Sequence, residues 1–325
     1  MSIELKAITK KFGSLVANDS IDLKVARGEI HAILGENGAG KSTLMNIVYG
    51  LAKADSGKIF VEDKEVIINE PADALRYGIG MVHQHFMLIP VFTVAENIAL
   101  GREESRGVFL TLDEVKKKIK VLADEFKFDI DPDALIEDLP VGVQQRVEII
   151  KALIYDAKVL ILDEPTAVLT PQETDELLNI MRTLREKGTS IIFITHKLRE
   201  VKEVADKITI IRLGKVVGTA SPDASQEELA SMMVGRQVDL APNKGEVKAG
   251  RVVLDINKLS VSNSLGRKII NSLSLQVKAG EILAIAGVQG NGQSELTRAI
   301  LNLEDHSGDG WDGPLGRCHQ GEQGS

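Results

Sequence analysis

Along the chain, short aliphatic runs alternate with stretches in which apolar positions recur every three or four residues. Ile30 to Leu34, Val159 to Leu162 and Ser190 to Thr195 are compact apolar runs, the pattern of strands buried on both faces of a parallel sheet. Thr111 to Phe126 reads as a charged amphipathic helix with Val115, Ile119 and Leu122 on one face. Helical patterns also cover Lys41 to Tyr49, after the first run, and Gln172 to Lys187, before the third. From about Val91 to Tyr155 strand signals are sparse, which predicts a helical insertion. The alternation as a whole predicts a layered α/β core.

Polar residues then cluster from Asp239 to Gly250, the composition of a linker. Beyond it the chain repeats itself. Gly28-Glu29-Ile30-His31-Ala32-Ile33-Leu34-Gly35 returns 252 residues later as Gly280-Glu281-Ile282-Leu283-Ala284-Ile285-Ala286-Gly287. Gly38, Gly40, Ser42 and Leu44 recur at the same offset as Gly290, Gly292, Ser294 and Leu296. A second domain of the first kind is therefore expected from near Arg251, and it is expected to be partial, since about 75 residues remain. Residues 308–325 are rich in glycine, nearly free of aliphatic side chains, and hold Trp311 and Cys318, the only Trp and Cys. They read as a non-native or disordered tail.

With 43% hydrophobic and 26% charged residues the composition is that of a globular protein. The net charge of -8 implies no broad basic surface, so nucleic acid is not an expected partner. A single cysteine excludes an internal disulfide framework and fits a reducing compartment. Met1 to Lys6 carries charge where a secretory signal needs an apolar core. The longest uncharged stretch, Tyr77 to Ala95, is interrupted by glycines, a proline, histidines and a glutamine, a poor membrane span. Membrane contact is expected to be peripheral.

Gly35-Glu36-Asn37-Gly38-Ala39-Gly40-Lys41-Ser42 matches G-x-x-x-x-G-K-[ST], between an apolar strand and a helix. Its glycines let backbone N–H groups turn inward onto phosphate oxygens, and the helix adds its positive end. Lys41 is placed to reach the β- and γ-phosphates of a nucleoside triphosphate, and Ser42 to hold Mg²⁺. The second apolar run ends in Asp163-Glu164. Asp163 would support Mg²⁺ through water, and Glu164 would orient or deprotonate the attacking water. The third run ends at His196, beside the same edge if the strands are parallel, where it can hydrogen-bond the γ-phosphate or the water. The Gln84 amide could touch Mg²⁺ or the nucleophilic water. A metal pair at His83 and His85 is not expected.

Taken together these residues resemble the ATP-binding cassette family, over about Ile3 to Gly235. Leu139-Pro140-Val141-Gly142-Val143-Gln144-Gln145-Arg146 is similar to the family's signature segment, and Phe12 to the aromatic that stacks on adenine. The resemblance implies ATP and Mg²⁺ as ligands. It implies a P-loop NTPase cassette with a parallel sheet core, an antiparallel β subdomain and a helical subdomain at about 91–155. Residues 1–238 would form the first cassette, 239–250 the linker, and 251–307 a partial second cassette. Thr43 and the Gly142 backbone join the implied nucleotide-binding set. The tandem arrangement resembles the ATPases of bacterial sugar and nucleoside importers. Met81-Val82-His83-Gln84-His85-Phe86-Met87-Leu88-Ile89-Pro90 looks most like the nucleoside type. The implied partners are two membrane permease subunits and an extracytoplasmic solute-binding protein, with the chain on the cytoplasmic face of the membrane.

The sequence departs from the family pattern at three places. Pro140 replaces the signature serine, so a helix can still start there but the hydroxyl ligand is gone. Thr170 stands where the common pattern has aspartate. Gln293 replaces the phosphate-loop lysine in the second copy, removing the charge that would neutralise phosphate. In the family, each phosphate loop faces the signature of the other cassette. The signature around Gly142 would then serve the altered loop, and no second signature follows before residue 325. The expectation is ATP binding with poor hydrolysis by the chain alone. Other readings are a soluble ATPase of this fold acting on nucleic acid or ribosomes, and a nucleotide-binding remnant. The first usually has basic arms or long coiled coils; here Lys116-Lys117-Lys118-Ile119-Lys120 reads as a solvated helix face. A small-molecule kinase would leave the Gly142 segment and the repeat unexplained.

Overall fold

The three apolar runs are neighbouring strands of one six-stranded sheet in the computed structural model of the chain. The structure describes residues 1–84, 86–100, 111–237, 250–262, 267–287, 291–301, 303 and 306–307. His85, the linker apart from Gly250, Val288 to Gly290 of the second phosphate loop, and the tail at 308–325 lie outside the described residues. Two compact units are present, Met1–Leu240 and Ala241–Ser325.

The first unit begins β1 (Ile3–Phe12), β2 (Leu15–Val25), β3 (Ile30–Leu34), α1 (Lys41–Val48), β4 (Ser56–Val61), β5 (Lys64–Val66), α2 (Pro71–Arg76) and β6 (Ile79–Val82). Helices α3 (Val94–Ala99), α4 (Leu112–Phe126) and α5 (Val141–Ile154) follow. It closes with β7 (Val159–Asp163), α6 (Pro171–Glu186), β8 (Ser190–Thr195), α7 (Leu198–Val204), β9 (Lys207–Arg212), β10 (Lys215–Ala220) and α8 (Gln226–Val234). Strands β2-β1-β4-β5 form an antiparallel sheet. The larger sheet runs β10-β9-β3-β8-β7-β6, parallel except for the edge strand β10.

Strand alternation divides the core in two. Ile33, Ile161, Ile192 and Ile194 face the antiparallel sheet and α1, while Leu34, Leu160, Leu162 and Phe193 face the helices. Both faces of the parallel strands are therefore covered, which is why those runs are largely apolar. Thr111 caps α4 rather than opening it, and the buried stripe is Val115, Ile119 and Ala123. Leu122 is only partly buried, so the small alanine takes the inward place the sequence assigned to leucine. Strand β6 stops at Val82, and the His83 ring beyond it meets Tyr49 edge-on at 5.7 Å.

Thr170 has a local role. It caps α6, accepting from Glu173 N while Glu173 Oε2 accepts from Thr170 N at 2.8 Å. Replacing Thr170 by alanine is expected to cost about 0.5–2 kcal/mol in urea unfolding; an unchanged midpoint would remove the capping account.

Residues 86–92 form no helix or strand, and two buried side chains supply part of the segment's hydrogen bonding. Asn97 Oδ1 accepts from Ile89 N at 2.7 Å, and its Nδ2 donates to Ile89 O at 3.0 Å and Thr93 O at 3.1 Å. Glu148 Oε1 accepts from Met87 N at 2.9 Å. Burial pushes the Glu148 carboxyl above its ordinary value, against the opposing effects of Lys151 and the Met87 N–H. An acid whose pKa is raised on folding holds its proton more tightly folded than unfolded. Its contribution to stability is therefore present below the unfolded pKa and lost as pH climbs through the folded one. Between about pH 5 and pH 8 the wild type should lose stability relative to Glu148→Gln. Urea unfolding at both pH values checks this, and equal pH slopes for the two proteins would refute it.

The second unit contains β11 (Val252–Ser262), β12 (Lys268–Lys278), α9 (Gln293–Ile300) and β13 (His306–Ser307). Its strand order is β12-β11-β13. Ile256, Leu259, Val261, Ile270, Leu296 and Ala299 form its buried cluster. Residues 282–286, the counterpart of β3, form no strand, and Ile282 is 96% exposed. β3 is a strand because β8 and β9 flank it; among the described residues the second unit has no such pair.

Candidate functional site

β3, β7 and β8 end side by side, with Leu34 opposite Thr195 and Asp163 opposite Ile194. What leaves each end is polar, so the phosphate-loop motif, the acidic pair and His196 share one edge of the sheet.

The loop after β3 reaches α1 through Gly40, whose φ of 101° is left-handed. A Cβ there would stand 2.1 Å from Ala17 O, so only glycine fits. Asn18 Nδ2 donates to Gly40 O at 3.0 Å and pins the turn from behind. Asn18 is fully buried, and its Oδ1 has no hydrogen-bond partner among the described residues. Sequence reading missed this residue. Ile21, Leu23 and Val25 face inward, and a left-handed Ser20 (φ 51°) shifts the parity so that Asn18 faces inward too. Gly292 repeats the Gly40 geometry at φ 97°, capping α9.

Lys41 is buried, and its Nζ donates to Gly35 O at 2.8 Å and Glu36 O at 2.9 Å. Burial lowers its pKa, while the nearby Glu164 and Asp163 charges oppose that shift. Gln293, its counterpart, also lies over the start of its loop, its Nε2 2.1 Å from where a Cβ on Gly287 would stand. Ser42 Oγ donates to Asp163 Oδ1 at 3.2 Å, joining residues 121 apart in sequence. Burial pushes the Asp163 carboxyl above its ordinary value; the Ser42 bond and Lys41 oppose this, and the Glu164 charge adds to it.

Glu164 leaves the sheet at φ 45°, with its N–H donating to Ile194 O at 3.0 Å. Its Oε1 lies 3.3 Å from His196 Nδ1. Gln145, buried in α5, donates from Nε2 to Pro165 O at 2.6 Å, which ties the segment resembling the signature to the turn after Glu164.

A cavity of about 520 Å³ opens over this edge, and Phe12, Asn37, Lys41, Ser42, Gln84 and Glu164 line it. Gly38, Ala39, Gly40 and Thr43 line it as well, while Gly35, Glu36 and Asp163 lie directly behind through the bonds above. Phe12 is 53% exposed, so its ring is not part of the core; Lys10 Nζ stands 5.4 Å from the ring centroid. Gly142 does not line this cavity. It lies in the first turn of α5, where a Cβ would meet Glu173 Oε1 at 2.5 Å. Pro140 is the N-cap rather than a first-turn residue, and its carbonyl accepts from Val143 N at 2.9 Å and Gln144 N at 3.0 Å. The proline thus allows the helix to start without a side-chain cap.

Residues 18–167 match the model of the ABC transporter family. A nucleoside import ATP-binding protein of Lactococcus lactis subsp. cremoris is 51% identical over 93% of this chain and 60% of its own length. A guanosine import ATP-binding protein of Bacillus subtilis is 50% identical over 93% of this chain and 59% of its own. A glucose import ATP-binding protein of Haloferax volcanii is 47% identical over 93% of this chain and 60% of its own. The chain spans about three fifths of the length of these relatives. The ADP conformation of an ATP-binding cassette of an ABC transporter superposes with a TM-score of 0.62 at 29% identity, over 72% of this chain and 95% of that one. No helix among the described residues is long and apolar enough to cross a membrane.

Proposed function

Because the chain belongs to the ATP-binding cassette family of ABC transporters, we propose that it binds ATP with Mg²⁺ and hydrolyses it to ADP and phosphate, energising import of a nucleoside or a simple sugar through a membrane permease. The observation that carries this reading is the pairing of Ser42 with Asp163 beside the Glu164–His196 contact, under a cavity that Lys41 lines. A hydroxyl next to one buried carboxylate suits Mg²⁺, which takes few protein oxygens and keeps water and phosphate for its other positions.

In this reading the backbone of Gly38 to Ser42 and the start of α1 receive the phosphates. Lys41 exchanges its bonds to Gly35 O and Glu36 O for phosphate oxygens. Phe12 stacks on the adenine. Ser42, Asp163 and Gln84 hold Mg²⁺, Asp163 through water. Mg²⁺ held there would supply positive charge against the phosphates. Glu164 takes the proton of the attacking water, and His196 orients that water or the γ-phosphate. Gly142 offers its backbone N–H to nucleotide held by another cassette's loop. The altered loop at Gln293 binds ATP more weakly. Two permease subunits and an extracytoplasmic solute-binding protein complete the importer, with this chain on the cytoplasmic face.

Identities near 50% to a nucleoside and a guanosine import protein favour the nucleoside side, and 47% to a glucose import protein keeps sugars within the reading. The test is uptake of labelled nucleosides, ribose and glucose in cells lacking this protein, complemented with wild type or Lys41→Met. Restoration of nucleoside uptake by wild type alone supports the reading. If no nucleoside or sugar uptake depends on the protein and no permease copurifies with it, the transport reading falls.

A further inference from the structure

Behind the Glu164–His196 contact lies a buried ionic cluster to which the proposed reaction assigns no part. Glu200, in the first turn of α7, is 4% exposed. Its Oε2 accepts from Thr166 Oγ1 at 2.8 Å and from Thr195 Oγ1 at 3.3 Å. Its Oε1 stands 3.3 Å from Lys197 Nζ. Lys197 Nζ also donates to Thr166 O at 2.8 Å and to Thr166 Oγ1 at 3.1 Å, and Lys197 N donates to Thr195 Oγ1 at 3.0 Å.

Each threonine hydroxyl is used twice, giving its proton to Glu200 and accepting one from Lys197, so neither is free to rotate. The positions in sequence show what is being held. Thr166 is two residues after Glu164, Thr195 immediately precedes His196, and Lys197 immediately follows it. The cluster therefore bolts the turn leaving β7 to the turn leaving β8. Gln145 clamps the same first turn from the other side through Pro165 O. A buried carboxylate with one half-exposed lysine as counter-ion is a poor device for stability alone, whereas its bonds fix the two turns that carry the pair.

We propose that Glu200 is a positioning residue for the Glu164–His196 pair: its carboxylate, bridged by Thr166, Thr195 and Lys197, keeps His196 Nδ1 within hydrogen-bond reach of Glu164. The inference rests on the hydrolytic reading for its effect on rate, but not for its effect on the geometry of His196. Misplacing a reacting group by about 1 Å costs up to about 10²-fold in rate, so a loosened frame should show in hydrolysis before it shows in binding.

The test uses the full chain with Glu200→Ala, Glu200→Gln, Lys197→Met and the double variant Glu200→Gln/Lys197→Met. Three quantities are read: affinity for a fluorescent ATP analogue, single-turnover ATP cleavage with protein in excess, and the NMR resonances of the His196 imidazole. Affinity should stay within about twofold, and E200A and K197M should cleave about tenfold or more slowly with shifted His196 resonances. The double variant should recover most of what K197M loses, because it leaves no unpaired buried carboxylate. A role confined to stability would lower the melting temperature and leave the His196 resonances unmoved. Folded E200A and K197M with wild-type resonances and wild-type cleavage would overturn the proposal. If E200A fails to fold, the comparison of K197M with the double variant decides, and a double variant no better than K197M overturns it. If the wild type neither binds nor cleaves ATP, the hydrolytic reading fails by itself, and unchanged resonances in the variants would still overturn this one.

Discussion

Glu164→Gln is expected to leave ATP bound and to slow its cleavage by about 10²–10⁴-fold, the range that general-base catalysis supplies. Glutamine keeps the size and the hydrogen-bonding reach of the side chain, and the backbone bond from residue 164 to Ile194 O does not involve it. What is lost is the ability to accept a proton from water at the mouth of the cavity. The neighbouring acid cannot substitute, because Asp163 is buried and bonded to the Ser42 hydroxyl. Binding should even tighten slightly, since one negative charge is removed beside the phosphates. Filter binding and rapid-quench cleavage on the same preparation separate the two effects. Cleavage within about threefold of wild type would show that Glu164 is not the base.

Lys41→Met is expected to act on binding instead, weakening ATP by about 100-fold. A charge-assisted bond to phosphate contributes about 1.5–3 kcal/mol, and each 1.4 kcal/mol is a factor of about ten in affinity. The Lys41 ammonium donates to Gly35 O and Glu36 O, so part of any gain from a phosphate bond is offset by bonds given up. Methionine also removes the cation beside Asp163 and Glu164, whose charges then repel incoming phosphate without compensation. Calorimetric titration with Mg-ATP measures the effect; affinity within about threefold of wild type would remove Lys41 from the phosphate site.

The parts of this arrangement visible in the sequence share one property: each is announced by its neighbours along the chain. The strands at Ile30–Leu34 and Ser190–Thr195 are marked by compact, largely apolar runs, and the phosphate-loop motif by glycine spacing between a strand and a helix. The residues that stayed hidden are defined by contacts across long separations. Asn18 faces Gly40 only because Ser20 adopts a left-handed backbone. Glu148 and Asn97 look like ordinary polar helix residues until the irregular segment they satisfy is in place. Glu200 is one of two acids in a charged helix, and only the folded turns show that Thr166 and Thr195 converge on it. Two further details have a similar origin. Helical periodicity could not choose between Leu122 and Ala123, and the apolar run at 282–286 repeats the pattern of β3 while, among the described residues, no strand lies beside it.

The position of β3 between β8 and β9 has a consequence for how the protein is made. His31 pairs with Ile192 on one side and Lys207 on the other. Both neighbours leave the ribosome long after β3 does. At about 5–20 residues per second the delay is roughly 8–36 s. During that interval a five-residue strand carrying Ile30, Ile33 and Leu34, with the phosphate-loop motif at its end, has neither flank to pair with. The stretch of chain synthesised early is thus finished late, and the nascent protein carries an unpaired, aggregation-prone strand until residue 212 has emerged.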